Sequence, residues 1–265
     1  MHIRDFASTP ALTTQSSARK TALGATLVSS FLAVSGSATA DSTAPHIIPV
    51  EGYLNAALVD RTIENIRALR QQDPNSDIRI EIGDTRGGEL EAGFRLSHEI
   101  NSAGNIDLVC EGNLQSMAAN LFVSYQGGER IAGEDCTNFM LHDIVYTVQT
   151  QSIGSASFVR SYVDGMMENL RIPFDMMTQA TANAADMPIE SAQALFGEDC
   201  HLTPDKAYSI GLLDHFEMAV TSLPARLESP SPDQIYNICG TQPLSSYFSY
   251  TDWSRYEFNG VPAPN

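Results

Sequence analysis

The sequence predicts an α/β fold built on a parallel sheet, and three observations carry that expectation. Ile78, Ile80 and Ile82 alternate with Arg79 and Glu81, the period of a strand with one packed face. Leu54, Leu58, Ile63, Ile66 and Leu69 return at three- to five-residue spacing, the period of a helix. Strand, Gly-rich turn and helix then follow one another repeatedly, which implies parallel strands joined by helical crossovers.

Each element follows from local chemistry. Residues 41–46 read as a linker. Ile47, Ile48 and Val50 form a short strand ended by Gly52, and residues 53–71 a helix. Pro74-Asn75-Ser76 makes a turn before the strand at 78–82. Residues 83–88 form a Gly-rich turn, 89–100 an amphipathic helix and 106–110 a strand. A turn at 112–115 leads to a helix from Ser116 through Ala118, Ala119, Leu121, Phe122 and Val123, ended near Gly127-Gly128. Short strands are expected around Arg130-Ile131 and Phe139-Met140-Leu141. Residues 155–196 are mostly helical. Thr203 and Pro204 suit an N-cap and a first helical position. Gly211 ends that helix, and 212–216 forms a last strand. Residues 219–265 are an irregular extension rich in Pro, Ser and aromatic residues, among them Tyr247, Phe248, Tyr250 and Trp253.

Composition limits the function. A chain of 265 residues, 43% hydrophobic and 18% charged, buries a sizeable core and suits one domain with extensions. The net charge of -17 excludes nucleic acid as an expected partner, because phosphate binding needs a basic surface. The lysines are Lys20 and Lys206 alone.

The first 40 residues read as an export signal. Arg19-Lys20 precede an apolar run from 21 to 34, and Ala38-Thr39-Ala40 suits cleavage after Ala40. The run is too short for a comfortable membrane span. The expectation is a periplasmic or secreted protein with no stable membrane insertion after cleavage. In an exported chain, Cys110, Cys136, Cys200 and Cys239 permit two disulfides in three pairings. Cys110 and Cys136 could instead be buried thiols. No cysteine or histidine spacing suits a metal, so neither metal nor cofactor is expected.

A serine hydroxyl needs a neighbouring base, an orienting carboxylate and donors for an oxyanion before it becomes a nucleophile. Ser116 stands where a strand turns into a helix, His142 ends a later strand, and Gly87 offers an amide with no side chain in the way. Asp84-Thr85-Arg86-Gly87-Gly88, Gly112-Asn113-Leu114-Gln115-Ser116-Met117 and Met140-Leu141-His142 occur in this order. Together they resemble the N-S-P-G-G, G-x-A-A-S-M and M-I-H motifs of the Clp protease proteolytic subunit, a serine peptidase of the ClpP/crotonase-like superfamily. Asp199 and the following residues to Asp214 are similar to the family segment that begins with its catalytic Asp.

The resemblance covers about residues 47–216. It implies a repeated ββα spiral with a helical insertion, over a peptidase domain at 47–218. It implies Ser116 as nucleophile, His142 as general base and Asp199 as orienting acid, with the amides of Gly87 and Met117 as oxyanion hole. Arg86, Gly88 and Gln115 become candidates for the substrate groove. A peptide or unfolded protein is the implied substrate, and a homo-oligomeric ring the implied assembly. Arg86 stands where the family has proline, Gln115 where it has a small residue, and Asp143 where it commonly has Gln. The stretch from His142 to Asp199 is several residues longer than usual, in the region through which family rings stack.

Taken singly, these residues have plainer readings. Ser116 would be a helix N-cap, His142 a half-buried histidine, Asp199 a loop residue and Gly87-Gly88 a turn. A non-catalytic module of the same fold is the main alternative. A signal-peptide-peptidase-like Ser-Lys dyad would have to use Lys206, and an acyl-CoA enzyme of the crotonase group would need no serine.

Overall fold

A computed structural model describes residues 44–144, 156–197, 199–217 and 222–241. The expected export segment at 1–40 and the aromatic stretch beyond 241 lie outside the described residues. The chain divides after Ser42, and the fold below belongs to Thr43–Asn265.

The elements run β1 (His46–Val50), α1 (Ala56–Gln72), β2 (Ile78–Ile82), α2 (Leu90–Ala103), β3 (Ile106–Cys110), β4 (Asn113–Gln115) and α3 (Met117–Val123). There follow β5 (Arg130–Ala132), β6 (Asn138–Leu141), α4 (Ala156–Ala185), α5 (Ile189–Leu195), β7 (Cys200–Leu202), α6 (Pro204–Ser209), β8 (His215–Phe216) and α7 (Pro232–Cys239). A five-stranded sheet has the order β1-β2-β3-β5-β8, every pair parallel. A smaller sheet has the order β4-β6-β7, with β4 parallel and β7 antiparallel to β6.

The plan is a repeated ββα turn. β3, β4 and α3 make one turn, and β5, β6 and α4 the next. Before them, β2 leads through Thr85, which bridges Leu114 of β4, into α2. Each turn therefore contributes one strand to the large sheet and one extended segment to the small one.

Burial of alternate residues explains the strands. Ile78, Ile80 and Ile82 are buried, while Arg79 and Glu81 lie on the other face. There Arg79 pairs with Glu81 at 2.8 Å, with Glu111 at 3.2 Å and with Glu217 through Nη2 at 2.7 Å. The bond from Arg79 holds the Glu217 carboxyl below its usual range, whereas burial pushes Glu111 up. In α1, Asn55 caps the amide of Leu58 at 3.0 Å, and Val59, Ile63 and Ile66 face the core. All seven residues of α3 are buried, so this helix lies in the core.

Several expectations need correcting. Residues 112–115 do not form only a turn: 113–115 are strand β4, because the Thr85 backbone lies on one side and β6 on the other. Such partners are distant in sequence and leave no local signal. The last strand is only His215–Phe216, since the chain first turns at Leu212 and Leu213, both buried. Thr203 holds the N-cap position of α6, but its hydroxyl makes no capping bond. The extension after 219 is not wholly irregular. A capping box of Ser231 and Gln234, with Pro232 behind it, starts α7, and Ile235 is buried.

Two disulfides, Cys110–Cys136 and Cys200–Cys239, select one of the three pairings. The first joins the end of β3 to the approach to β6. The second bolts α7 to β7. Disulfides of this kind point to a non-cytoplasmic environment. No helix among the described residues is long and apolar enough to cross a membrane.

Candidate active site

The small sheet decides which residues meet. Thr85 donates its amide to Asn113 at 3.1 Å and accepts from Gln115 at 2.9 Å, so its segment lies along β4. β4 pairs Gln115 with Met140, and β6 pairs Met140 with His201 and Leu141 with Cys200. The lateral order is therefore Thr85, β4, β6, β7. Gly87, Ser116 and His142 each stand just past the end of their segment. Asp199 stands just before β7, which runs the opposite way. All four consequently fall at the same end of the sheet. Continuing the antiparallel register by one residue sets Asp199 opposite His142, with neighbouring strands about 4.8 Å apart.

Burial sorts the two faces. Leu114, Phe139, Leu141, Cys200 and Leu202 turn to the core. Asn113, Gln115, Asn138, Met140 and His142 are half-buried, and His201 and Asp199 are exposed. His142 and Asp199 thus share the open face.

Ser116 is held in an unusual backbone. Its φ of 53° and ψ of -124° are costly for any residue with a Cβ, and such strain collects at functional sites. Its amide donates to the Met140 carbonyl at 2.7 Å, and its carbonyl accepts from Asn120 at 2.9 Å. Its hydroxyl makes no capping bond to α3. The plain reading of Ser116 as an N-cap through its side chain is therefore not what the structure has.

The two glycines beside it serve different purposes. Gly87 has φ of 92°, and a Cβ there would stand 2.6 Å from the Ser116 Cβ. A Cβ on Gly88 would fall 2.3 Å from the backbone oxygen of Leu54. The first glycine lets backbone approach the serine, and the second lets the Leu54 segment pack. Neither the Gly87 amide nor that of Met117, the first residue of α3, donates to a protein acceptor among the described residues. Two free N–H groups next to a serine hydroxyl are the donors an oxyanion needs.

His142 Nδ1 is in contact with the carbonyl of Asp143. A carbonyl only accepts, so in the neutral ring this contact goes with a proton on Nδ1 and a lone pair on Nε2, the tautomer a general base requires. Among the described residues no hydrogen bond joins Ser116 to His142, or His142 to Asp199. Asp143 is a residue whose part the motif did not reveal. Burial pushes its carboxyl up, against the bond from the Ile144 amide and the neighbouring His142. Its Oδ1 accepts that amide at 2.6 Å. Asp84 is a second such residue: its Oδ1 accepts from the Asn113 amide at 2.9 Å and fastens the Gly87 loop to β4. Both act through backbone contacts that spacing does not encode.

Of the groove candidates, Arg86 is exposed, Gln115 half-buried and Gly88 half-buried. Lys206 donates to the carbonyl of Ile238 at 2.6 Å, on α6 rather than beside Ser116. No group of three or more His, Cys, Asp or Glu able to hold a metal occurs among the described residues. A groove of about 730 Å³ between α1, α2 and α4, lined by Ile63, Phe94 and Met176, contains none of Gly87, Ser116, Met117, His142 and Asp199.

A parallel central sheet with helical crossovers and a second, smaller sheet beside it is consistent with a ClpP-like α/β fold. The Clp protease family model matches residues 39–218, and the chain belongs to that family.

Proposed function

We propose that the protein is an exported serine peptidase that cleaves peptide bonds through an acyl-enzyme. The observation that carries this reading is Ser116: a strained residue whose hydroxyl caps nothing, pressed against Gly87. In the proposed reaction the Ser116 Oγ attacks the peptide carbonyl while its proton passes to His142 Nε2. The amides of Gly87 and Met117 hold the oxyanion. The intermediate collapses, the amine leaves with the proton from His142, and water repeats the cycle on the ester. Asp199 is assigned to accept the hydrogen bond of Nδ1–H in place of the Asp143 carbonyl, and so to stabilise the imidazolium.

Export rests on the sequence before Ala40 and on the two disulfides. ATP is not supplied outside the cytoplasm, so hydrolysis of short or unfolded peptides is expected to need no ATPase. Family membership supports a homo-oligomer.

The deciding experiment is intact-mass analysis after a fluorophosphonate, with Ser116→Ala alongside. One adduct, mapped to Ser116 and lost in the variant, is the expected result. Absence of any adduct in folded protein would favour the second reading, a binding module of the same fold. That reading draws on the missing hydrogen bonds between Ser116, His142 and Asp199. Cleavage that required an added Clp ATPase would overturn the ATP-independent part.

A further inference from the structure

We propose that the row Arg86, Gln115, Met140 and His201 on the open face of the small sheet recognises a carboxylate of the substrate, so that the site favours bonds close to an acidic side chain or a free C-terminus. This rests on the peptidase reading above.

The row follows from register. Gln115 pairs with Met140, and Met140 with His201. Extending the parallel bridge Thr85–Leu114 by one residue brings Arg86 level with Gln115. Alternation agrees: Thr85 and Leu114 are buried, while Arg86 is exposed and Gln115 half-buried. The row crosses the open face of the small sheet one step before Ser116, on the face that His142 and Asp199 share. An extended peptide with its scissile carbonyl at Ser116 lies over or beside it.

The chemistry of the row suits an anion at one end. Arg86 forms no hydrogen bond or ion pair among the described residues. Arg67, Arg79, Arg95 and Arg130 are instead all engaged by carboxylates. Arg61, on α1, likewise forms no such bond, so what distinguishes Arg86 in this chain of net charge -17 is its place level with Gln115. Its guanidinium is always charged, and the planar fork matches a carboxylate. Gln115 adds an amide donor, and Met140 an adaptable apolar floor. Asp84 stands two residues before Arg86 on the same exposed side, and its Oδ1 is taken up by the Asn113 amide. Asp199 stands at the β7 side, away from Arg86. The anion is therefore placed at the Arg86 end.

The test uses the full chain and matched quenched peptides carrying Glu or Gln beside the cleaved bond, with a further pair ending in a free acid or an amide. In the wild type the charged member of a pair is expected to show kcat/KM higher by roughly three- to tenfold, the scale of an exposed, charge-assisted contact. The pair that shows it identifies the source of the carboxylate. Arg86→Gln is expected to bring the ratio near one, and Arg86→Glu to invert it. Both substitutions are at an exposed side chain without partners, so folding is not at stake. Protection of Ser116 from fluorophosphonate by each peptide gives the same ratio if turnover is slow. Ratios near one in the wild type, or ratios that survive Arg86→Gln, overturn the inference while labelled Ser116 leaves the peptidase reading standing. An unlabelled Ser116 removes both.

Discussion

At the scale of single residues, Ser116 pairs chemistry with strain. Its positive φ and negative ψ are a conformation that glycine adopts freely and serine only under strain. The bonds to Met140 and Asn120 and the packing of Gly87 keep it there. Ser116→Gly is therefore expected to raise stability by about 1 kcal/mol in urea unfolding, because it removes the strain along with the nucleophile. Ser116→Ala keeps the Cβ and should show no such gain. Equal stabilities for the two variants would mean that the backbone relaxes without cost. The exposed position of Arg86 and the bond from His142 to the Asp143 carbonyl belong to the same scale. Each concerns one side chain whose role depends on what stands within a few ångströms.

At the scale of elements, β7 is a short strand with a large responsibility. It has three residues, and the Cys200–Cys239 bond fixes it to α7. Leu141 lies opposite Cys200, so the bolt stands one residue from both His142 and Asp199. Cys239→Ser is expected to lower unfolding stability by about 2–4 kcal/mol, the usual worth of a disulfide. It is also expected to slow fluorophosphonate labelling of Ser116, because β7 loses its anchor. A lower melting temperature with an unchanged labelling rate would make the bond purely structural. Helix α3 works in the opposite way: complete burial of its seven residues holds Met117, and hence its amide, without any bolt.

At the scale of the whole molecule, Arg130 ties distant parts together. It is almost fully buried, and it reaches Asp214 with Nε at 3.0 Å and Nη2 at 2.9 Å. It also donates to the carbonyls of Val123, Ala184 and Gly211. One guanidinium thus joins β5, the end of α3, the end of α4 and the entry to β8. Burial pushes the Asp214 carboxyl up, but the bonds and charge of Arg130 outweigh it and leave the carboxyl below its usual range. The unfolded chain therefore takes up this proton more readily than the folded one. The stabilisation is complete above the ordinary Asp pKa of about 3.9 and is lost as pH falls through the lower folded value. Asp214→Asn should destabilise by about 3–5 kcal/mol at pH 7, since it leaves Arg130 buried without its counter-charge. Its urea midpoint should also fall less than the wild-type midpoint between pH 5 and pH 3. Parallel curves for the two proteins would show that another carboxylate governs acid unfolding.

The sequence by itself determined the alternating class of the fold, because strand and helix periods are local and Ile78, Ile80, Ile82 and the stripe of α1 display them directly. It also marked Gly87-Gly88, Ser116, His142 and Asp199 as a set, through motif order. The second sheet was not legible, since β4 and β7 are three residues each and exist only because Thr85 and β6 lie beside them. Nor was α7 read, although Ser231 and Gln234 carried its cap signal within a Pro- and Ser-rich stretch. The disulfide pairing, the strain at Ser116, the free amides of Gly87 and Met117, and the row running from Arg86 to His201 were decided by the tertiary structure alone. The reason is physical. Periodicity and propensity act over a few residues, whereas register, close approach and the sharing of an open face are set where segments far apart in the chain pack together.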